Sequence, residues 1–311
     1  MHLRLARRMP PSGAAISPEA RSYVLEALAK VEQVSIFPPS QGWPQLRAWT
    51  LEQAAGARTP SDTYPALQLA LQQLQDRHSS FNLPAPASEA AGVTRAGGDG
   101  QLAPAFGSES GVLSIPAFMD RRKGAFERFA ADLREALEAK TQESQCGLVI
   151  DLRNNGGGNM WPMLVGISAL FPDQVLGQFV TAEGAKSWSA RDGIINLGDY
   201  PVMGSIAGAH LRDVPVAVLI GPHAASSGEA VAIALRSRPR TVLVGRPTAD
   251  YVTANRVLEL RDGAYVAVSA SRMADPAGLI QEGPVEPTLR GTGGEDDLQI
   301  ARNWLKSQCA R

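Results

Sequence analysis

The sequence predicts an α/β fold, a partly parallel sheet flanked by helices with an N-terminal helical layer before it. Three observations carry that expectation. Residues 147–152 and 215–220 are dominated by Val, Ile and Leu, the pattern of strands covered on both faces rather than one. From residue 111 onward, strand-like and helix-like stretches alternate. Before residue 82 the apolar spacing is helical instead.

Length and composition agree with this. The chain has 311 residues, 44% hydrophobic and 20% charged, which suits a soluble globular protein of one large domain or two ordinary ones. A formal net charge of −1 gives no electrostatic case for nucleic acid or an anionic membrane as partner. No apolar run approaches membrane-spanning length. The first twenty residues are basic but hold no apolar core of export-signal length, so the chain as read is expected to be soluble and unexported. Cys146 and Cys309 show neither a disulfide framework nor zinc-ligand spacing, and Cys146, bordering an apolar run, is expected as a buried unpaired thiol.

Taken in order, residues 1–16 form a basic leader. Ser17-Pro18-Glu19 opens a helix carrying Tyr23, Val24, Leu28 and Val31, with Ser17 as cap and Pro18 in the first turn. A stretch broken by Pro38, Pro39 and Pro44 precedes helices at 49–55 and 64–74, completing a helical subdomain over residues 17–82. Residues 83–110, rich in Ala, Gly and Pro, read as a surface loop or flap. The α/β core is expected over residues 111–292. It starts with a strand at 111–116, an amphipathic helix at 123–139 with Phe126, Phe129, Leu133 and Leu137 inward, and a strand at 147–152. A helix at 160–171 and a strand at 175–181 lead into a polar, glycine-rich excursion over 182–212. The strand at 215–220 then hands over, through a turn at 221–225, to a helix opening at a serine pair. A strand at 241–245 and a hairpin of 257–260 with 265–270, joined at Asp262-Gly263, complete the core. A helix at 296–306, within residues 293–311, closes the chain.

Two loops leave the carboxyl ends of buried strands, where open α/β sheets place their ligands. The first carries Asn154-Asn155-Gly156-Gly157-Gly158. Adjacent glycines let the main chain approach a ligand and turn its N–H groups inward. The run lacks the G-x-G-x-x-G pattern and no Gly-Lys-Ser/Thr follows it, so an anion hole for a tetrahedral intermediate fits better than a nucleotide site. The second loop carries Ser226 and Ser227 at a helix start, where unpaired N–H groups carry partial positive charge. A serine there is either an N-cap or a nucleophile beside an oxyanion site.

A nucleophilic serine needs a base. The lysines are Lys30, Lys123, Lys140, Lys186 and Lys306, and only Lys306 follows Ser226, so a serine–lysine pair is not expected. Of the four histidines, His2 lies in the leader, His210 in the polar excursion, and His223 on the turn before Ser226. His78 ends a helix beside Asp76 and, taken alone, reads as a histidine favoured there by the helix dipole.

DLRNNGGG at 151–158, AASSGEAVAIALR at 224–236, LVGRPTADYVTAN at 243–255 and LQDRHSSF at 74–81 together resemble the S41 peptidases. That family takes in tail-specific or C-terminal-processing proteases, the tricorn core, and domains related to interphotoreceptor retinoid-binding protein. The resemblance covers roughly residues 17–287 in the right order and is closest to the branch without a catalytic lysine. It implies an S41, ClpP–crotonase-like core with Ser226 as nucleophile and His78 as general base. It further implies an oxyanion hole from the N–H of Gly156 or Gly157 together with that of Ser227. Lysine-using members carry Phe-Gly-Lys-Gly after a Gly-x-x-Thr element. Here Thr248 is followed by Ala249-Asp250-Tyr251-Val252, so Tyr251 stands at the lysine position and Asp250 where the branch usually shows glycine. By the same analogy Glu282 orients His78, a role for which Asp76 also qualifies on residue type. No PDZ module fits between His78 and Gly111, so tethering of a substrate's carboxyl terminus is not implied.

The expected activity is hydrolysis of a peptide or protein substrate through an acyl-enzyme, with no metal or organic cofactor. Two other readings use the same residues: an inactive relative binding a peptide or apolar ligand, and a serine esterase or amidase. The missing signal points to the cytoplasm, and the family tendency to a periplasmic or exported protein. Nothing in the sequence sets an oligomeric state.

Overall fold

The computed structural model describes residues 15–84, 106–144, 146–204, 206, 208, 210–291 and 296–309. The expected leader, nearly all of it, and most of the expected flap lie outside the described residues. The chain divides into two compact units, Met1–Arg95 with Asn255–Ala270, and Ala96–Ala254 with Ser271–Arg311.

In the smaller unit the first helix, Pro18–Val34, starts as expected: Ser17 Oγ accepts the Ala20 N–H at 3.1 Å and proline occupies the first turn. The second helix, Trp43–Gln53, begins six residues earlier than expected, because Pro44 sits in its first turn rather than breaking it. The third, Tyr64–Leu71, is shorter than its apolar pattern suggested. Tyr23, Leu28, Leu46, Leu67 and Leu71 form one core with Leu260, Val266 and Val268 of the hairpin. At the hairpin tip Asp262 accepts hydrogen bonds from the hydroxyls of Tyr23 (2.7 Å) and Tyr64 (2.6 Å). A short strand, Ser80–Asn82, pairs antiparallel with the hairpin, Ser80 opposite Ala267 and Asn82 opposite Tyr265.

In the larger unit four strands, Val112–Ser114, Leu148–Asp151, Val216–Ile220 and Thr241–Gly245, form a wholly parallel sheet in that spatial order. Side chains alternate between its faces. Leu148, Ile150, Val216, Val218 and Ile220 pack into the core holding the helices Ala125–Gln142, Met160–Gly166 and Ser227–Arg236. Val149, Ala217, Leu219 and Val244 pack on Ala301 and Leu305 of the last helix, Asp297–Cys309. Covering on both faces is the reason these strands read as continuous apolar runs.

The expected excursion over 182–212 is corrected. Strands Gly184–Arg191, Ile194–Leu197 and Tyr200–Pro201 continue antiparallel from Gln174–Thr181, forming a meander separate from the parallel sheet. Trp188, Ser189, Ala190 and Ile195 are buried while Gly184, Ala185, Lys186 and Arg191 are exposed, so burial follows position along the strand rather than alternating, and the apolar signal is short. Asp192 (φ 51°) and Gly193 (φ 76°) supply the two positive-φ residues of a tight hairpin, a signal present in the sequence. Beyond the meander, Arg238 is buried and its guanidinium donates to the carbonyls of Leu170, Leu211, Arg212 and Val214, fixing the chain that leads into the central strand. Among the described residues no helix is long and apolar enough to cross a membrane.

Candidate active site

The central strand Val216–Ile220 ends at the sheet's carboxyl edge, and a tight turn, closed by Ala224 N–H donating to Gly221 O at 2.9 Å, delivers Ser226 to the start of the helix Ser227–Arg236. Ser226 is half-buried and has φ 52° and ψ −111°. Such backbone is rare outside glycine and costs on the order of 1–3 kcal/mol, so its neighbours must hold it. Ser226 is the N-cap of that helix and shares a capping box with Glu229, but it lacks the extended backbone of an ordinary N-cap, and a strained serine where a strand turns into a helix is compatible with a nucleophile elbow. The pair of serines divides its roles accordingly. Ser227 Oγ donates to Gly158 O at 2.5 Å, whereas its N–H has no partner among the described residues.

The glycine loop lies directly against this elbow. A Cβ built on Gly157 (φ 106°) would stand 2.9 Å from Ser226 Cβ and 3.0 Å from Ala225 O, so only glycine fits. The loop is laid down on the segment after the first parallel strand, with Phe118 N–H donating to Gly157 O (3.2 Å) and Asn159 N–H to Phe118 O (2.8 Å). Asn155, fully buried, ties the parts together. Its Oδ1 accepts the Gly157 N–H (3.0 Å), its Nδ2 donates to Ile115 O (3.0 Å), and its carbonyl accepts the Ala225 N–H (2.9 Å). The Gly157 N–H is thereby engaged, while the Gly156 N–H has no partner among the described residues.

Glu229, in the first turn of the serine helix, is completely buried. One carboxylate oxygen accepts the N–H of Ser226 (2.8 Å) and of Tyr251 (2.8 Å); the other accepts Thr248 Oγ1 (2.5 Å) and the Asp250 N–H (3.0 Å). Burial pushes its pKa up, and the bonds from Thr248, Ser226, Tyr251 and Asp250 act against that rise. Asp250 has φ 66°, in the left-handed region that glycine occupies easily.

In the smaller unit, Asp76 organises the turn that carries His78. Its Oδ1 accepts the N–H of His78 (2.5 Å) and Ser79 (2.9 Å), and the Ser79 hydroxyl donates to its Oδ2. Asn255 Nδ2 donates to His78 O at 2.9 Å, and Ser269 Oγ bonds both Asp76 (3.2 Å) and Asn255 (3.2 Å). Desolvation lowers the pKa of the half-buried imidazole, outweighing the opposite pull of the Asp76 charge.

The remaining candidates disperse. His210, His223 and Glu282 are exposed. No group of three or more His, Cys, Asp or Glu side chains is placed to hold a metal among the described residues. Sequence reasoning did not single out Asn155 or Glu229. Asn155 stood inside the glycine motif without a distinguishing mark. Glu229 stood three residues after Ser226, the spacing of a capping box, and could have been found by that rule.

With the elbow and the glycine loop defined, the class is a serine hydrolase built on a parallel α/β sheet. The model of peptidase family S41 matches residues 109–290, more than half the chain, and the chain belongs to that family; it is an S41 serine peptidase. The chain is similar to the nisin-resistance protein of Lactococcus lactis subsp. lactis, 27% identical over 298 residues, covering 94% of this chain and 89% of that one. In structure it is similar to a lipoprotein from Streptococcus agalactiae, with a TM-score of 0.75 and 23% identity over 94% of this chain and 98% of that one. It also resembles a photosystem II D1 C-terminal processing protease, with a TM-score of 0.56 and 19% identity over 88% and 94% of the two chains. These structural likenesses bear on the fold, a mixed α/β architecture with a parallel sheet and N-terminal helices.

Proposed function

We propose that this peptidase cleaves peptide bonds with Ser226 as nucleophile and His78 as general base, on the ClpP–crotonase-like variant of the S41 core. The observation that carries the assignment is the strained backbone of Ser226 at the strand-to-helix turn, pressed against a loop that only glycine can form. His78 takes the Ser226 hydroxyl proton as the oxygen attacks the substrate carbonyl, then passes it to the departing amine. Water, deprotonated by the same imidazole, clears the acyl-enzyme. The negative oxygen of each tetrahedral intermediate is met by the N–H of Ser227 and of Gly156. Gly157 joins them only if its N–H leaves Asn155. Asp76, which holds the His78 turn, is the favoured electrostatic partner of the imidazole, with Glu282 the alternative that family analogy supplies.

A fluorophosphonate probe tests the assignment. Wild-type protein is expected to label, and labelling is expected to vanish in Ser226→Ala and to fall at least about a hundredfold in His78→Gln. Undiminished labelling of Ser226→Ala would overturn the choice of nucleophile, and an unlabelled wild type would favour a cleft that binds without reacting. Digestion of a peptide library then separates a peptidase from an esterase. Nisin is a reasonable first peptide, given the name of the relative matched across most of both chains.

A further inference from the structure

We propose that Glu229 is a positioning residue for catalysis: its buried carboxylate holds Ser226 in its reactive conformation and, through the same peptide unit, aims the oxyanion-binding N–H of Ser227. The proposal rests on the reading of Ser226 as nucleophile.

Ser226 is one of only four non-glycine residues with positive φ among the described residues, and its ψ of −111° fixes the plane of the peptide that carries the Ser227 N–H. Nothing intrinsic to serine favours that conformation; an unrestrained serine before a helix relaxes to extended backbone. The restraint comes from Glu229 Oε2, which accepts the Ser226 N–H at 2.8 Å. A cap would need that one bond. Glu229 makes three more, to Thr248, Asp250 and Tyr251, so its carboxylate is anchored from a second, distant segment and cannot follow Ser226 if that residue relaxes.

The residue type matters as much as the place. Residues 230–235 of the same helix are fully buried and apolar, so packing alone would put an aliphatic side chain at 229. A carboxylate has two oxygens, both able to accept, and here they meet three N–H groups and one hydroxyl. Glutamine has one such oxygen; its amide would turn N–H against N–H on one side, and the side released is either Ser226 with Tyr251 or Asp250 with Thr248. The same shape with one acceptor fewer therefore loosens the elbow.

Glu229 touches neither substrate nor reacting atoms, so its loss should reduce the rate of the chemical step and leave binding almost untouched. The experiment is saturation kinetics of the fluorophosphonate on the full chain, separating the maximal inactivation rate from the half-saturation concentration. Glu229→Gln is expected to lower the rate at least about tenfold with half-saturation changed less than about threefold, as misplacement of a nucleophile does. A rate within twofold of wild type, or a loss confined to half-saturation, would overturn the proposal. If Glu229→Gln does not fold, Thr248→Val, which deletes one anchor of the carboxylate while keeping its shape, decides: a rate at least about threefold lower supports the proposal and an unchanged rate overturns it. An unlabelled wild type would instead strike at the nucleophile assignment itself.

Discussion

Gly157 lies so close to Ser226 that a Cβ on the glycine would stand 2.9 Å from the serine Cβ. That contact makes the glycine loop part of the elbow's mechanical support. Gly157→Ala would combine this clash with a φ of 106° that L side chains rarely adopt. Relief can come only by displacing the serine or the loop. The expected outcome is a fall in fluorophosphonate labelling of about a hundredfold, since roughly an ångström of displacement at a nucleophile has that effect. Circular dichroism should show the fold retained. Wild-type labelling by the alanine variant would show that the loop yields without disturbing Ser226.

With His78 as the proposed base, its protonation should set the pH dependence of labelling. Desolvation lowers its pKa below the ordinary 6.5, with Asp76 pulling weakly the other way. A base is competent when unprotonated, so the acid limb of the labelling rate should lie below pH 6.5 and disappear in His78→Gln. Asp76→Ala should move that limb to still lower pH. An acid limb centred above 6.5 would contradict the assignment. The linkage to stability has the same sign. The unfolded chain binds the imidazole proton near pH 6.5 and the folded chain only at lower pH, so this contribution is fully present above 6.5 and is lost as pH falls through the folded value. Thermal unfolding of wild type and His78→Gln across pH 5 to 7 checks it.

Asp250 occupies a left-handed conformation, φ 66°, in the segment whose N–H groups bind Glu229. Asp250→Gly should be neutral or stabilising by up to about 1 kcal/mol, because glycine takes that conformation without steric cost. Asp250→Val, branched at Cβ, should destabilise by about 1–3 kcal/mol and slow labelling as the anchor of Glu229 shifts. Chemical denaturation of both variants distinguishes strain at this residue from a role for the aspartate side chain, in which case glycine would be as damaging as valine.

Arg238 gives a prediction about stability without chemistry. Its guanidinium is buried, and desolvation lowers its pKa to about 10, yet the cation is surrounded by the carbonyls of Leu170, Leu211, Arg212 and Val214. Arg238→Met fills much of the same volume but takes the guanidinium donors from the carbonyls of Leu170, Arg212 and Val214, while Leu211 O keeps the Val214 N–H. A loss of about 3–5 kcal/mol in urea unfolding is expected. A loss below about 1 kcal/mol would mean that water replaces the guanidinium at little cost.

Much of the fold was legible because its central strands are covered on both faces. Val216–Ile220 and Thr241–Gly245 carry apolar residues on both sides, so their outlines survive in sequence almost to the residue. The antiparallel meander is half-exposed, and its strand Gly184–Arg191 buries only Trp188, Ser189 and Ala190, too short an apolar run among Ser, Lys and Gly to read as a strand. Pro44 misled for a local reason: the same residue that breaks a helix interior also suits its first turn.

The sequence by itself determined the family and the chemical vocabulary. A triple glycine after a buried strand, a serine pair at a helix start and a histidine beside an aspartate all stand in short contiguous motifs. Tertiary structure decided how those groups are divided. It engaged the Ser227 hydroxyl on Gly158 and the Gly157 N–H on Asn155, and it made Glu229 the common acceptor of Ser226 and a segment some twenty residues further on. Local pattern reports which face of an element is apolar. The partner of each buried polar group is chosen by chain segments distant in sequence, which meet only once the sheet has formed.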